Sequence, residues 1–158
     1  LATSLVAALA ACSPPPAAEA SPSASAAAAT PARHRESGLA VVPLTVTTAT
    51  GTHRFLVEVA ATPAEQQKGL MFRTAMGPNE GMIFPNNPPQ PRSFWMRNTV
   101  IPLDIIYIGP DRRVLNIVSG VPYSTESLPS AGLVINVLEL NAGRAAELGI
   151  KPGDAVGW

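Results

Sequence analysis

Two carboxylates lie within apolar, strand-like stretches and are the side chains of this sequence best suited to chemistry. Asp104 belongs to the run LDIIYI and Glu139 to the run LVINVLEL, each on an otherwise apolar strand face. An isolated buried charge is too costly, so each carboxylate must be paired, hydrogen-bonded or protonated. As the acid and base of a hydrolase acting on glycans, the two would lie about 5–10 Å apart.

Three arginines are available to pair with these carboxylates, namely Arg73, Arg92 and Arg97. Two interpretations stay open. In the first, the charges form a structural ion pair that fixes the order of the strands. In the second, they line a polar pocket with an aromatic wall. The candidate residues of that pocket are Trp95, Arg97, Asn98, Asp104, Glu139 and Arg73.

Other kinds of site have less support in the sequence. Cys12 is the only cysteine and His53 the only histidine after residue 38, so we predict no cysteine nucleophile, zinc cluster or catalytic triad. Four methionines could bind Cu(I) or fill an irregular core, and we prefer the core. They are Met71, Met76, Met82 and Met96. We assign no catalytic residue, metal or cofactor.

Short apolar runs separated by turns dominate from Leu39 onward, so strands must position these residues. Helices are predicted to begin after Thr62, which forms a capping box with Glu65, and after Asn141. A bend at Pro102 would place two of the strands side by side. A last strand follows the turn KPGD, and the others are predicted over 39–48, 53–60, 81–84, 93–98, 103–108, 114–119 and 133–140. The pattern predicts a mainly β sandwich or roll with two short helices.

The start of the chain indicates export and lipid attachment. The run LATSLVAALAAC fits the hydrophobic part of a secretory signal and is too short for a transmembrane helix. Its end, LAAC, resembles a bacterial lipobox, whose cysteine is lipidated; the alternative is an ordinary signal with a chance cysteine. We predict a partial signal peptide over 1–11, a lipid anchor on Cys12 and a location at the outer membrane, facing the periplasm.

Composition divides the rest of the chain into a linker and one domain. Residues 12–38 are rich in Ala, Pro and Ser and are predicted to be a disordered, lipid-anchored linker. Residues 39–158 form a single predicted domain, in which nine basic residues balance nine acidic ones. We therefore expect a membrane partner through the lipid anchor and no nucleic-acid partner.

Four stretches occur together in this chain: TPAEQQKGLMFR (62–73), GMIF (81–84), FWMRNTVIPLDIIYI (94–108) and VLELNAGRAAELGIKPGD (137–154). In this order they resemble the bacterial and archaeal family named domain of unknown function 192, with Arg97 where lysine is more usual. The resemblance covers nearly all of 39–158. It implies a jelly-roll-like β sandwich and assigns no activity and no site residues.

Three classes of function follow from these features. The preferred one is a lipid-anchored binding or structural module of the cell envelope. The second is an envelope hydrolase, acting on glycans, with Asp104 and Glu139 as its acid and base. The third is copper handling through the methionines.

Overall fold

The computed structural model describes residues 32–158, which form a curved sheet, a two-stranded ribbon and two short helices. The helices are α1 (Pro63–Lys68) and α2 (Arg144–Glu147). The strands are β1 (Val41–Thr48), β2 (Gly51–Val59), β3 (Glu80–Gln90), β4 (Ser93–Phe94), β5 (Leu103–Ile108), β6 (Val114–Gly120), β7 (Leu128–Pro129), β8 (Val134–Asn141) and β9 (Ala155–Gly157). The prediction of a mainly β fold with two short helices is confirmed.

The main sheet has seven strands in the order β6-β5-β8-β3-β2-β1-β9. All neighbours are antiparallel except β2 and β3, which run parallel and are connected through α1. The sheet curls until its outer strands meet. The N–H of Val114 donates to the Asp154 carbonyl at 2.9 Å, and the N–H of Val156 donates to the Arg112 carbonyl at 2.8 Å. The fold is therefore a nearly closed roll.

Apolar side chains pack on both faces of this roll. The inner core draws on every strand of the main sheet, and it includes Leu44, Phe55, Ile83, Ile106, Val114, Leu138 and Val156. The outer core covers β3, β5 and β8 beneath loop residues, and it includes Leu70, Met82, Phe84, Met96, Ile105, Tyr107 and Val137. Strand alternation sends neighbouring residues to opposite cores.

Helix α1 follows the predicted local chemistry. The Thr62 hydroxyl accepts a hydrogen bond from the Glu65 N–H at 3.3 Å, and the Glu65 carboxylate accepts one from the Thr62 N–H at 2.7 Å. This is the capping box expected from the sequence. Within residues 32–158, no helix has the length and apolar character to cross a bilayer.

The predicted pairing of strands 93–98 and 103–108 is wrong. Only Ser93–Phe94 forms a strand, β4, and it pairs with β7. Strand β5 instead lies between β6 and β8. An apolar strand buried on both faces gains more from two neighbours inside the sheet than from a short partner at its edge.

Residues 32–38, assigned to the linker from composition, lie against the domain. Arg33 forms a β-bridge with Ala40, and the Glu36 carboxylate lies 3.0 Å from the Arg73 guanidinium. The linker prediction is therefore wrong for these residues. They bury little apolar surface, and polar contacts with the domain order them instead. The signal peptide, Cys12 and the linker as far as residue 31 lie outside the described residues.

Candidate functional site

Asp104 is buried at the start of β5 and has a structural role. Its carboxylate accepts hydrogen bonds from the N–H of Gly143 at 3.1 Å and from the N–H of Ala145 at 2.8 Å. These N–H groups open α2, where the helix has no other acceptor for them. The predicted cap, Asn141, does not serve α2; its amide donates to the Met76 and Gly77 carbonyls, both at 3.0 Å.

Asp104 and Glu139 project from opposite faces of the sheet. In the antiparallel register of β5 and β8, Asp104 stands opposite Leu140 and Ile105 opposite Glu139. Directly opposed residues share a face, so Asp104 points toward the inner core and Glu139 toward the outer core. The proposed acid–base pair is therefore wrong, because the sheet separates the two carboxyls.

Arg73 belongs to a separate ion cluster. Its guanidinium lies 2.9 Å from the Glu58 carboxylate, which is also buried, and Ser37 donates a hydrogen bond to the same carboxylate. His34 lies beside this pair, with its Nδ1 3.6 Å from Glu58. Arg73 therefore fixes residues 32–38 on the domain and does not join the predicted pocket.

Among the described residues, Glu139 is the buried carboxyl without a partner. Its side chain is 5% exposed, and within residues 32–158 no hydrogen bond or ion pair reaches its carboxyl. Burial raises the pKa of Glu139 to about 8, because the charged form is poorly solvated there. At neutral pH the side chain is therefore mostly protonated and can donate a hydrogen bond.

A cavity of about 130 Å³, which we name the Glu139 cavity, opens over this carboxyl. Strand β8 supplies Glu139 as the floor, and α1 with the turn after it supplies one wall. The opposite wall comes from the segment 92–99. Its polar and charged lining residues are Gln66, Gln67, Lys68, Arg92, Ser93 and Thr99, and its aromatic ones are Phe84, Phe94 and Trp95.

A second hollow adjoins the Glu139 cavity at Trp95. Arg97 and Asn98 line it, and it shares Lys68 and Trp95 with the cavity. The Arg97 guanidinium lies 5.5 Å from the centroid of the Trp95 ring, within the range of a cation–π contact. Of the six predicted pocket residues, Trp95 and Glu139 thus share one cavity, Arg97 and Asn98 adjoin it, and Asp104 and Arg73 lie elsewhere.

Three loop residues near this rim have left-handed backbone conformations. The φ angles are 66° at Phe72, 57° at Asn98 and 61° at Tyr123. The Phe72 N–H donates to the Asn98 carbonyl at 2.8 Å, and the Tyr123 N–H donates to the Thr99 carbonyl at 3.1 Å. Aromatic residues rarely adopt this conformation, and such strain concentrates at functional sites. The rim is therefore locally strained where the loops meet.

Sequence reasoning missed the part of the cavity that α1 contributes. Gln66 and Gln67 lie on a short helix with no buried residue. Their local sequence therefore predicts that they face solvent. The sequence predicts Arg92 only as an ion-pair partner. The order strand, helix, strand in the sequence could have indicated this contribution. A helix that connects two parallel strands, as α1 connects β2 and β3, packs against a face of their sheet.

The methionines divide between core and rim. Met82 and Met96 are fully buried in the outer core, which confirms the core interpretation for both. Met76 packs against the same core, and the Met71 sulfur lies 3.9 Å from the Asn98 amide nitrogen.

Comparisons with known proteins agree with this fold. Residues 45–158 match the family described as Uncharacterized ACR, domain of unknown function 192. A structure of a protein of unknown function from Novosphingobium aromaticivorans is 61% identical, covers 83% of this chain and 94% of its own, and has a TM-score of 0.80. A structure from Sinorhizobium meliloti, described as a proposed transcription regulator, is 39% identical, covers 75% of this chain and 94% of its own, and has a TM-score of 0.73.

No curated protein matches the chain. The family match begins within β1 and covers the rest of the roll, both helices and the Glu139 cavity. The chain therefore belongs to the uncharacterised family named domain of unknown function 192.

Proposed function

We propose that this protein is a lipid-anchored binding domain of the cell envelope, and that it takes a small ligand, or the end of a larger one, in the Glu139 cavity. The observation that carries the binding proposal is the buried carboxyl of Glu139, which lines a cavity and has no partner within residues 32–158. Such a group costs stability, and binding sites commonly retain groups of that kind.

The other buried carboxylates support this interpretation by contrast. Asp104 accepts two backbone hydrogen bonds, Glu58 pairs with Arg73, and Asp154 accepts from the Lys151 N–H at 2.8 Å. Each has a structural role that accounts for its burial. Glu139 has none among the described residues, so a ligand is the partner that we propose for it.

Binding fits the cavity better than hydrolysis. Hydrolysis needs a nucleophile or an activated water held by an orienting group, and Glu139 faces no second carboxylate across the cavity. A volume of about 130 Å³ suits a group the size of a benzene ring, since a cavity of about 150 Å³ binds benzene.

The charge of this domain does not support a role in transcription regulation, which is how the Sinorhizobium meliloti relative is described. Residues 39–158 carry nine basic and nine acidic side chains. Affinity for nucleic acid comes mainly from clustered basic side chains. The equal numbers of basic and acidic side chains give no support for such a cluster.

The binding proposal predicts that benzoate, benzamidinium or benzyl alcohol occupies the Glu139 cavity of the full chain. In ¹⁵N-correlated NMR spectra, we expect at least one of them to shift the amides of Gly69, Thr99 and Glu139. Glu139→Met keeps a side chain of similar length but removes the polar floor, and should abolish the shifts.

Glu126→Gln is the matched control, because Glu126 is exposed and lies outside the cavity. It should bind as the wild type does. Shifts confined to another hollow, such as the one between Pro43 and Leu56, would contradict the proposal, as would spectra that none of the three compounds changes.

The anchor proposal rests on Cys12 and the LAAC motif that ends there. We expect Cys12→Ser to release the protein from the membrane fraction of cells, because stable anchoring needs the acyl chains on that cysteine. Cell fractionation after a high-salt wash measures this. A Cys12→Ser protein that sediments with membranes as fully as the wild type would rule out the lipid anchor.

A further inference from the structure

We propose that the Glu139 cavity binds a small anion or the anionic group of a larger ligand. In this arrangement Arg92 and Lys68 supply positive charge from the walls, and the Glu139 carboxyl donates a hydrogen bond from the floor. This inference rests on the proposed function and names the class of ligand for the same cavity.

The two basic residues of the cavity are not used in ion pairs. The ion pairs within residues 32–158 join His34, Glu36, Glu58 and Arg73 to one another, and Arg144 to Glu147. None of them includes Arg92 or Lys68, although both line the cavity. Both side chains therefore keep a charge that no ion pair within residues 32–158 uses and that a ligand in the cavity could contact.

Other contacts hold the Arg92 guanidinium in place. Its Nη2 donates to the Gln66 side-chain oxygen at 3.1 Å, and its central carbon lies 5.9 Å from the centroid of the Phe94 ring. A guanidinium has five N–H donors in a fixed plane, so these contacts orient the group and leave donors free. A preorganised arginine of this kind suits a carboxylate or phosphate oxygen.

Glu139 does not neutralise these charges, because no contact of 4.0 Å or less joins its carboxyl to Arg92 or Lys68. The nearest strands add few titratable groups. Strand β3 places Met82 opposite Glu139, and β5 contributes Tyr107, whose hydroxyl donates to the Leu128 carbonyl. Burial raises the pKa of Tyr107, and Glu139 adds to the rise once it is ionised at high pH, so Tyr107 stays neutral.

An unpaired carboxyl in this setting holds its proton, and the cavity then carries the net positive charge of Arg92 and Lys68. A protonated carboxyl can donate to an anionic oxygen, a use that enzymes make of such groups. A cationic ligand would instead need the Glu139 carboxyl in its ionised form, and the charges of Arg92 and Lys68 would repel it. The two ligand classes therefore differ in their dependence on pH.

The test compares benzoate with benzamidinium, which has the same planar shape and the opposite charge, by NMR titration of the full chain at pH 6 and pH 9. Benzoate is expected to bind more tightly than benzamidinium at pH 6. Its affinity should fall about tenfold by pH 9, because Glu139, with a pKa of about 8, is then mostly ionised.

Two substitutions separate the contributions. Glu139→Gln keeps an N–H donor at the floor, so benzoate should still bind while the loss between pH 6 and pH 9 disappears. Arg92→Met should weaken benzoate at least about tenfold and leave benzamidinium no weaker. The wild-type pH series tests the proposal even where Arg92→Met fails to fold.

Tighter binding of benzamidinium, or benzoate affinity that rises with pH, would overturn the anionic class and leave the Glu139 cavity as a binding site. If benzyl alcohol shifts the cavity amides and neither charged compound does, the anionic class is likewise wrong and the cavity is still a binding site. If none of the three compounds shifts the cavity amides, the proposed function fails together with this inference.

Discussion

Raising the pH from 5 to 9 is expected to lower the free energy of unfolding through Glu139. Its ordinary pKa of 4.5 rises to about 8 in the folded protein because the carboxyl is buried. Between these values the folded protein holds a proton that the unfolded chain has released, so stability falls as pH rises. A shift of this size corresponds to a loss of up to about 5 kcal/mol, complete above pH 8.

Glu139→Gln isolates this contribution, because the amide does not titrate. Urea denaturation of both proteins from pH 5 to pH 9 gives the difference in their free energies of unfolding. That difference should move in favour of the variant by several kcal/mol as the pH rises, whereas the exposed Glu126→Gln should follow the wild type throughout. A difference between Glu139→Gln and wild type that stays constant across this range would show that Glu139 is ionised and stabilised in the folded protein.

Replacing Arg73 by methionine is expected to destabilise the domain by about 3–5 kcal/mol, the usual cost of removing one partner from a buried ion pair. Arg73 and Glu58 are both buried, and the guanidinium reaches the two Glu58 oxygens at 2.9 and 3.1 Å. Without it, Ser37 and His34 are the side chains within residues 32–158 that still contact the Glu58 carboxylate. Chemical denaturation at pH 7 measures the loss.

The double variant Arg73→Met/Glu58→Met should recover most of that stability, because it removes the stranded charge and fills the space with apolar groups. Glu36→Gln is the matched control: its carboxylate contacts the same guanidinium but is largely exposed, and its loss should cost less than about 1 kcal/mol. A cost below about 1 kcal/mol for Arg73→Met itself would mean that the pair contributes little when water can reach Glu58.

The local parts of the fold could be predicted from the sequence. The capping box of Thr62 and Glu65 depends on residues three positions apart, and the strands around Asp104 and Glu139 follow from short apolar runs. Such features are decided by neighbours along the chain, and the structure reproduces them. The family resemblance seen in the sequence also agrees with the family match over residues 45–158.

The arrangement of the site could be predicted only in part, because it depends on which strands pair and in which register. Glu139 stands opposite Ile105, so Asp104 lies on the other face of the sheet. A register shift of one residue would put Asp104 and Glu139 on the same face. Local alternation cannot reveal a register between segments more than thirty residues apart. Trp95 and Glu139, two of the candidate pocket residues, do line one cavity.

The closure of the roll has a consequence for self-association. Open sheets expose rows of unpaired backbone groups at their edges, and a strand from another molecule can pair with them to begin aggregation. Here Ala155 in β9 bridges to Arg113 just before β6, and the hydrogen bonds of Val114 and Val156 secure the same junction. An added strand would first have to break this junction, so copies crowded together gain little by joining sheet to sheet.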